Sequence, residues 1–229
     1  MAKVLLSAAG ISKAYSYGED QHSLLTDMNL EVSARERVLL MGRSGSGKTT
    51  LIQILGGLLA PDSGDVRFLD QSITKMSEES LNQFRAQKLG FMFQQHHFIV
   101  GLNVIENVAL HMQLQDQPNA VERAQQILTK LEIATQLHSQ NPKQLSMGEQ
   151  ARVSLARAVA HQPTLLLMDE PSASLDDDLT LEIFQYIHAL QQTIGFAVVV
   201  ATHDQSLLQF SDTVYDLNKG NLEARNAGA

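Results

Sequence analysis

Gly42-Arg43-Ser44-Gly45-Ser46-Gly47-Lys48-Thr49 stands between an apolar run at 37–41 and a helical pattern that begins at Thr49. The octapeptide matches G-x-x-x-x-G-K-[ST], and a strand before it and a helix after it form the context in which that pattern cradles phosphate. Glycines let the backbone curl until successive N–H groups point at one anion. The N-terminus of the following helix adds partial positive charge at the same place. In that geometry Lys48 reaches the β- and γ-phosphates of a nucleotide, and the Thr49 hydroxyl holds Mg²⁺. The competing reading is a plain glycine-rich turn ahead of a helix.

Outward from this loop, β runs alternate with helical runs, which predicts an α/β fold with a largely parallel sheet flanked by helices. Strand patterns fall at 4–11, 37–41, 66–69, 89–93, 165–168, 196–201 and 213–217, and helical patterns at 49–59, 104–114, 121–131, 148–161 and 179–192. The stretch from 95 to 162 carries helices and no convincing strand, and strands resume at Leu165. A helical insertion within one α/β core explains this better than two consecutive domains. The expected organisation is a single domain over 1–229, with a catalytic core at 1–94 and 163–229 and a helical subdomain at 95–162. Gln117-Pro118-Asn119 and Asn141-Pro142 are the turns that separate its helices. The tail after Leu222 is expected to fray.

Length and composition bound the function. The 229 residues allow one large α/β domain or two small ones sharing a core. With 44% hydrophobic and 18% charged residues the chain reads as an ordinary globular protein. Its longest uncharged apolar stretch, 51–60, is about half of what a membrane-spanning helix needs. Work at a membrane would therefore require docking on a partner. A net charge of −8 and a pI near 5.4 disfavour broad contact with a phosphate backbone, so no nucleic-acid partner is expected. One nucleotide needs only a few placed donors. The absence of cysteine leaves no disulfide framework and fits a reducing compartment. In Met1-Ala-Lys-Val-Leu-Leu-Ser-Ala-Ala only Lys3 precedes a short apolar run, so a first β-strand is expected there rather than a signal peptide.

Leu165-Leu166-Leu167-Met168-Asp169-Glu170 is a buried-strand pattern that ends in two carboxylates. On a parallel sheet such an end meets the phosphate loop on one edge. Asp169 can then orient Mg²⁺ through its water shell while Glu170 polarises an attacking water; a placed general base contributes roughly 10²–10⁴-fold. Alone, the two acids would read as a solvated strand end. His203, in Ala201-Thr202-His203-Asp204, falls at another strand end where it could contact the γ-phosphate, although a helix-capping stretch also fits. His96 and His97 are adjacent, with no cysteine and no helical histidine pair at metal spacing, so no zinc site is expected.

Further segments carry a family resemblance. Leu145-Ser146-Met147-Gly148-Glu149-Gln150, followed by Arg152-Val153-Ser154-Leu155-Ala156-Arg157-Ala158, resembles the signature motif of ABC-type ATPases. Asp169-Glu170-Pro171-Ser172-Ala173-Ser174-Leu175-Asp176 is similar to that family's Walker B segment running into its D-loop. Gln94 in Gly90-Phe91-Met92-Phe93-Gln94 resembles the Q-loop glutamine, His203 the switch histidine, and Tyr15 the aromatic that stacks on adenine. These elements occur in the family's order over nearly the whole chain.

The resemblance implies a P-loop NTPase core of RecA-like type, with an N-terminal antiparallel β subdomain and an inserted helical signature subdomain. It implies ATP hydrolysis, with ATP and Mg²⁺ as cofactors and Lys48, Glu170, His203 and Gln94 as the catalytic set. Nucleotide contacts would come from Tyr15, the loop Gly42 to Thr49, Thr50, Ser146, Gly148 and Asp176; Thr49, Gln94 and Asp169 would serve the metal. A second copy would pair head to tail, so that Ser146 and Gly148 of one subunit complete the Lys48 site of the other. Ser146 also opens a capping-box pattern with Glu149, and both roles can coexist.

Met147 departs from the family, which commonly has glycine there; a site needing positive φ would strain a methionine. Within the family, Phe84-Arg85-Ala86-Gln87-Lys88-Leu89 on through His97, Asn103-Val104-Ile105-Glu106-Asn107-Val108 and Ser63-Gly64-Asp65-Val66 are most similar to the lipoprotein-releasing, macrolide-export and cell-division group. That implies a peripheral subunit on the cytoplasmic face of a bacterial inner membrane, bound to integral membrane permease subunits and coupled to export or extraction. Phe98, Ile99, Val100 and Leu102 are candidate docking residues, or local core packing. The alternatives are the ATPase of a small-solute importer, a soluble ABC-type protein acting on DNA or the ribosome, and a non-hydrolysing nucleotide sensor.

Overall fold

The computed structural model describes residues 3–17 and 20–225. Its centre is a six-stranded sheet. The strands are β3 (Arg37–Met41), β6 (Leu89–Phe93), β7 (Leu165–Asp169), β8 (Ala197–Thr202), β9 (Thr213–Asn218) and β10 (Asn221–Ala224), in the order β10-β9-β3-β8-β7-β6. The inner strands β3, β7 and β8 are apolar runs that are continuous rather than alternating. β9, β3, β8, β7 and β6 run parallel, and only β10 is antiparallel to its neighbour. Successive side chains go to opposite faces. Leu39, Met41, Leu166, Met168, Val198 and Val200 enter one core, and Val38, Leu40, Leu165, Leu167, Val199 and Ala201 the other. Burial on both faces is why these strands read as unbroken hydrophobic runs.

Helices α3 (Val104–Leu114), α4 (Ala120–Lys130), α5 (Met147–Val159) and α6 (Asp177–Ile194) fill the first core. The segment between β6 and β7 contributes α3, α4, two short 3₁₀ turns and α5. Helix α1 (Lys48–Leu55) fills the second core together with an antiparallel sheet, β2-β1-β4-β5, of β1 (Val4–Tyr17), β2 (Asp20–Ser33), β4 (Ser63–Phe68) and β5 (Gln71–Ser72). The antiparallel β unit that the family resemblance implied is thus seated over α1.

Several boundaries differ from the sequence reading. Helix α1 stops at Leu55 rather than at 59. A Cβ on Gly56 would lie 2.6 Å from the Phe91 ring, so the chain presses against β6 there and turns away. Strand β2 has no counterpart among the expected strands although Met28, Leu30 and Val32 alternate, because Asn29 and Glu31 leave the run half polar. Helix α2 (Glu78–Lys88) was also unmarked. It buries no residue, and its signals are the Ser77 cap and charges matched to the helix dipole, Glu78 and Glu79 at the start, Arg85 and Lys88 at the end. The expected fraying after Leu222 is corrected: β10 carries the chain through Ala224, paired with β9. Residues 226–229 lie outside the described residues, as do Met1 and Ala2. Strand β1 begins at Val4, as expected of that segment.

Candidate active site

Register decides which residues can meet. Phe93 pairs with Asp169, Asp169 with Ala201, and Met41 with Thr202, so the carboxyl ends of β6, β7, β8 and β3 are level. Gln94, Glu170, His203 and Gly42 are each the next residue or one beyond. Four segments far apart in sequence therefore leave the sheet along one edge, where open α/β sheets bind ligands.

The glycine-rich loop runs from Gly42 into α1. Arg43, Ser44 and Gly45 are exposed, the Ser46 N–H donates to the Arg43 carbonyl at 3.1 Å, and Thr50 is buried within α1. Gly47 adopts φ 102°, which L side chains avoid, and a Cβ there would lie 2.8 Å from Leu25 Cδ2. Leu24 and Leu25 of β2 thus press against the loop and hold it to the antiparallel sheet. Among the described residues no side chain caps α1, so its first N–H groups remain for an anion. The Ser46 hydroxyl oxygen is buried and, among the described residues, has no hydrogen-bond partner. These features fit a phosphate cradle.

Lys48 is 5% exposed. Its ammonium donates to the Gly42 carbonyl at 2.8 Å and to the Arg43 carbonyl at 3.2 Å, and lies 3.1 Å from Glu170 Oε1. The other carboxylate oxygen, Glu170 Oε2, is 2.9 Å from His203 Nδ1. A carboxylate only accepts, so the proton of this contact belongs on Nδ1. Lys48, Glu170 and His203 form one continuous polar chain across the loop, β7 and β8. Glu170 itself has φ 46°, a left-handed conformation uncommon outside glycine, fixed by its N–H donating to the Ala201 carbonyl at 2.8 Å.

The Thr49 hydroxyl donates to Asp169 Oδ1 at 3.1 Å. Burial pushes the Asp169 carboxyl up from its ordinary value, and the neighbouring Glu170 charge adds to the rise; the Thr49 hydrogen bond and the Lys48 charge oppose it. Hydroxyl, carboxylate and amide oxygens are hard donors of the kind Mg²⁺ takes, so Thr49, Asp169 and Gln94 fit that ion.

Ser146 caps α5 with a full capping box: the Glu149 N–H donates to Ser146 Oγ at 3.3 Å, and the Ser146 N–H donates to Glu149 at 2.9 Å. Asp176 caps α6 by accepting from the Leu179 N–H at 2.9 Å. A Cβ on Gly148 would lie 3.0 Å from Leu179 Cδ2, so the two helix starts are packed together at a glycine. Ser146 and Met147 are exposed at that corner. Met147 is helical and is not among the positive-φ residues, so the strain considered for it is absent. Tyr15 is 39% exposed and pairs with His22 on the β1–β2 hairpin, two residues before the leucines that cover Gly47.

The docking candidates divide. Phe98 packs against the helical core, whereas Ile99 is 44% and Val100 85% exposed. Sequence reasoning gave no role to Leu24, Leu25 or Leu179. Each matters through a contact with a glycine far away in the chain, and the only local signal was an apolar residue in polar surroundings.

A family model described as ABC transporter matches residues 25–173. The chain is 37% identical to the lipoprotein-releasing system ATP-binding protein LolD of Chromohalobacter salexigens over 222 residues, 96% of this chain and 93% of that protein. It is 38% identical to the protein of the same name from Idiomarina loihiensis, over 97% of this chain and 98% of the relative. Among solved structures it resembles MJ0796, a bacterial ABC transporter cassette seen as a dimer, at 32% identity and a TM-score of 0.89, covering 96% of this chain and 97% of that one. The same cassette has also been solved in a post-hydrolysis state with ADP and Pi.

Proposed function

Because this chain belongs to the ABC transporter family of ATP-hydrolysing subunits, we propose that it is the ATP-binding subunit of a lipoprotein-releasing membrane complex. Identity above one third over nearly the full length of both chains supports the cargo class. The observation that carries the chemistry is the Lys48–Glu170–His203 chain beside the phosphate loop, on one edge of the parallel sheet.

In this reading the γ-phosphate takes a place beside the Lys48 ammonium and shares it with Glu170. The N–H groups of the loop and of the start of α1 stabilise charge on the phosphate oxygens, and Tyr15 stacks on adenine. Thr49, Asp169 and Gln94 would hold Mg²⁺, which would supply neutralisation of phosphate charge. Glu170 accepts a proton from the attacking water, and the His203 Nδ1–H keeps the carboxylate oriented for it. Arg43, Ser44, Gly45, Ser46 and Thr50 shape the cradle.

A second copy would complete the site. Ser146 and Asp176 lie exposed at the starts of α5 and α6, with Gly148 buried in the first turn of α5, and a helix N-terminus there favours an anion. A head-to-tail pair would bring that corner to the γ-phosphate bound at Lys48 of the other subunit. The dimeric state of the 32%-identical cassette supports this arrangement. Residues 1–94 and 163–229 would act as the catalytic core and 95–162 as the helical subdomain that moves with the partner.

Among the described residues, no helix is long and apolar enough to cross a membrane. Attachment to the cytoplasmic face of an inner membrane would then go through integral permease subunits. The test is purification of the tagged chain from membranes, with identification of the integral protein that accompanies it. A partner with a large extracytoplasmic domain that binds lipoprotein supports the reading. A solute-binding protein as companion would move the chain to import, and association lost on nuclease treatment would move it to a soluble role.

A further inference from the structure

Arg157 lies in the C-terminal half of α5, eleven residues after the Ser146 cap, a distance of roughly 16 Å along a helix. Its guanidinium forks onto the segment that follows Gln94. One arm donates to the His97 carbonyl at 2.9 Å, the other donates to the His96 carbonyl, and the central carbon sits 5.5 Å from the centre of the Phe98 ring. The segment it grips is bent: His97 has φ 46°, a left-handed backbone that a residue with a Cβ resists.

Among the described residues no carboxylate forms an ion pair with Arg157, and burial pushes its guanidinium down from its ordinary value. A half-buried cation held only by two carbonyl dipoles and an aromatic face gains little stability from its charge. What it does supply is geometry, because a planar fork holds two consecutive carbonyls in one fixed plane, whereas the rotatable donors of an ammonium impose no such plane.

We propose that Arg157 is a positioning residue that locks α5 and the Gln94–His97 segment into one mechanical unit, so that Gln94 and Ser146 move together as the nucleotide site is made and broken. This rests on the reading of Gln94 as a residue that serves the nucleotide site. With the fork intact, a displacement of Gln94 is carried along α5 to the Ser146 corner. With the fork cut, the bent segment relaxes, and Gln94 loses its placement while the phosphate loop keeps its own. A misplacement of this kind lowers the chemical step by roughly tenfold to a hundredfold and leaves nucleotide affinity in the loop nearly untouched.

The experiment is a double-mutant cycle on the full chain, reading kcat and KM for ATP by phosphate release and Tm by thermal unfolding. Arg157→Lys should lower kcat at least about tenfold, with KM within about twofold and Tm nearly unchanged. Gln94→Ala should lower kcat comparably, and the double variant should fall no further than the worse single. Arg157→Gln is carried in parallel, in case the lysine variant does not fold. Wild-type kcat in a folded Arg157 variant overturns the proposal, as does a double variant whose loss is the product of the two singles. Failure of both Arg157 variants to fold assigns the residue to stability and also overturns it. Gln94→Ala at wild-type kcat fails differently, because it removes the role of Gln94 itself.

Discussion

Lys48 Nζ lies 3.1 Å from Glu170 Oε1, with the two side chains 5% and 16% exposed. The residue that would grip the γ-phosphate and the one that would polarise water are therefore partners before either meets substrate. Glu170→Gln preserves the shape of the acid and its reach to His203 and removes its basicity. Nucleotide binding should persist, and turnover should fall by at least about tenfold, the lower reach of general-base catalysis. Phosphate release measured beside equilibrium ATP binding checks this, and unchanged turnover would take Glu170 out of the role.

Lys48→Ala should abolish detectable hydrolysis, since among the described residues no other cation is placed between the loop carbonyls and Glu170. It should also lower Tm, because Glu170 is left largely buried without its cation. Adding Glu170→Gln to Lys48→Ala separates the two effects. The double variant should regain much of the Tm and none of the turnover. Nucleotide-dependent turnover retained in Lys48→Ala would overturn the phosphate-loop assignment.

How much of this was legible in the sequence depends on whether the signal was local. Strands β3 and β6 and helix α3 were found at their observed ends, because both faces of the sheet are buried and Asn103 begins a full capping box. The loop and the acid pair at Asp169 and Glu170 were legible because each is a contiguous motif behind an apolar run. His203 stood out only as an imidazole at a strand end, and Tyr15, Gln94, Ser146 and Asp176 carry so little local signal that only the family resemblance marks them. The ion pair between Lys48 and Glu170 spans 122 positions, the left-handed backbone of Glu170 and His97 leaves no compositional trace, and the Arg157 fork joins residues about 60 apart. Such features follow from register and packing, which a single sequence does not state.

Met147 opens α5 with helical backbone and a side chain 46% exposed. Glycine at this position would release no strain, because none is stored there. It would lower the helix propensity of the first turn by up to about 1 kcal/mol. Met147→Gly should accordingly keep turnover within about threefold of the parent, under 1 kcal/mol of barrier, with a slightly lower Tm. A tenfold gain in turnover would show instead that the methionine throttles the site from its exposed side.

His161 ends the turn after α5 and is 9% exposed. Its Nε2 lies 3.0 Å from the Leu89 carbonyl and donates to it, its Nδ1 is buried with no hydrogen-bond partner among the described residues, and its ring centre is 4.4 Å from that of His111. Burial pushes its pKa down from 6.5 to about 4, helped by the His111 and Arg123 charges and opposed by the Leu89 carbonyl. The unfolded chain therefore binds this proton more readily than the folded one between those two values. Stability from the neutral ring is complete above pH 6.5, shrinks as pH falls, and is gone below about 4. The linkage amounts to roughly 2 kcal/mol by pH 5 and about 3 kcal/mol over the whole window. Replacing the ring with a group that does not titrate, His161→Gln, should cost stability at pH 7.5 and flatten the loss between pH 6.5 and 4.5 relative to the parent. Denaturant unfolding of both proteins across that range reads the difference directly and cancels the carboxylates they share. Parallel pH profiles for parent and variant would mean that His161 carries no such linkage.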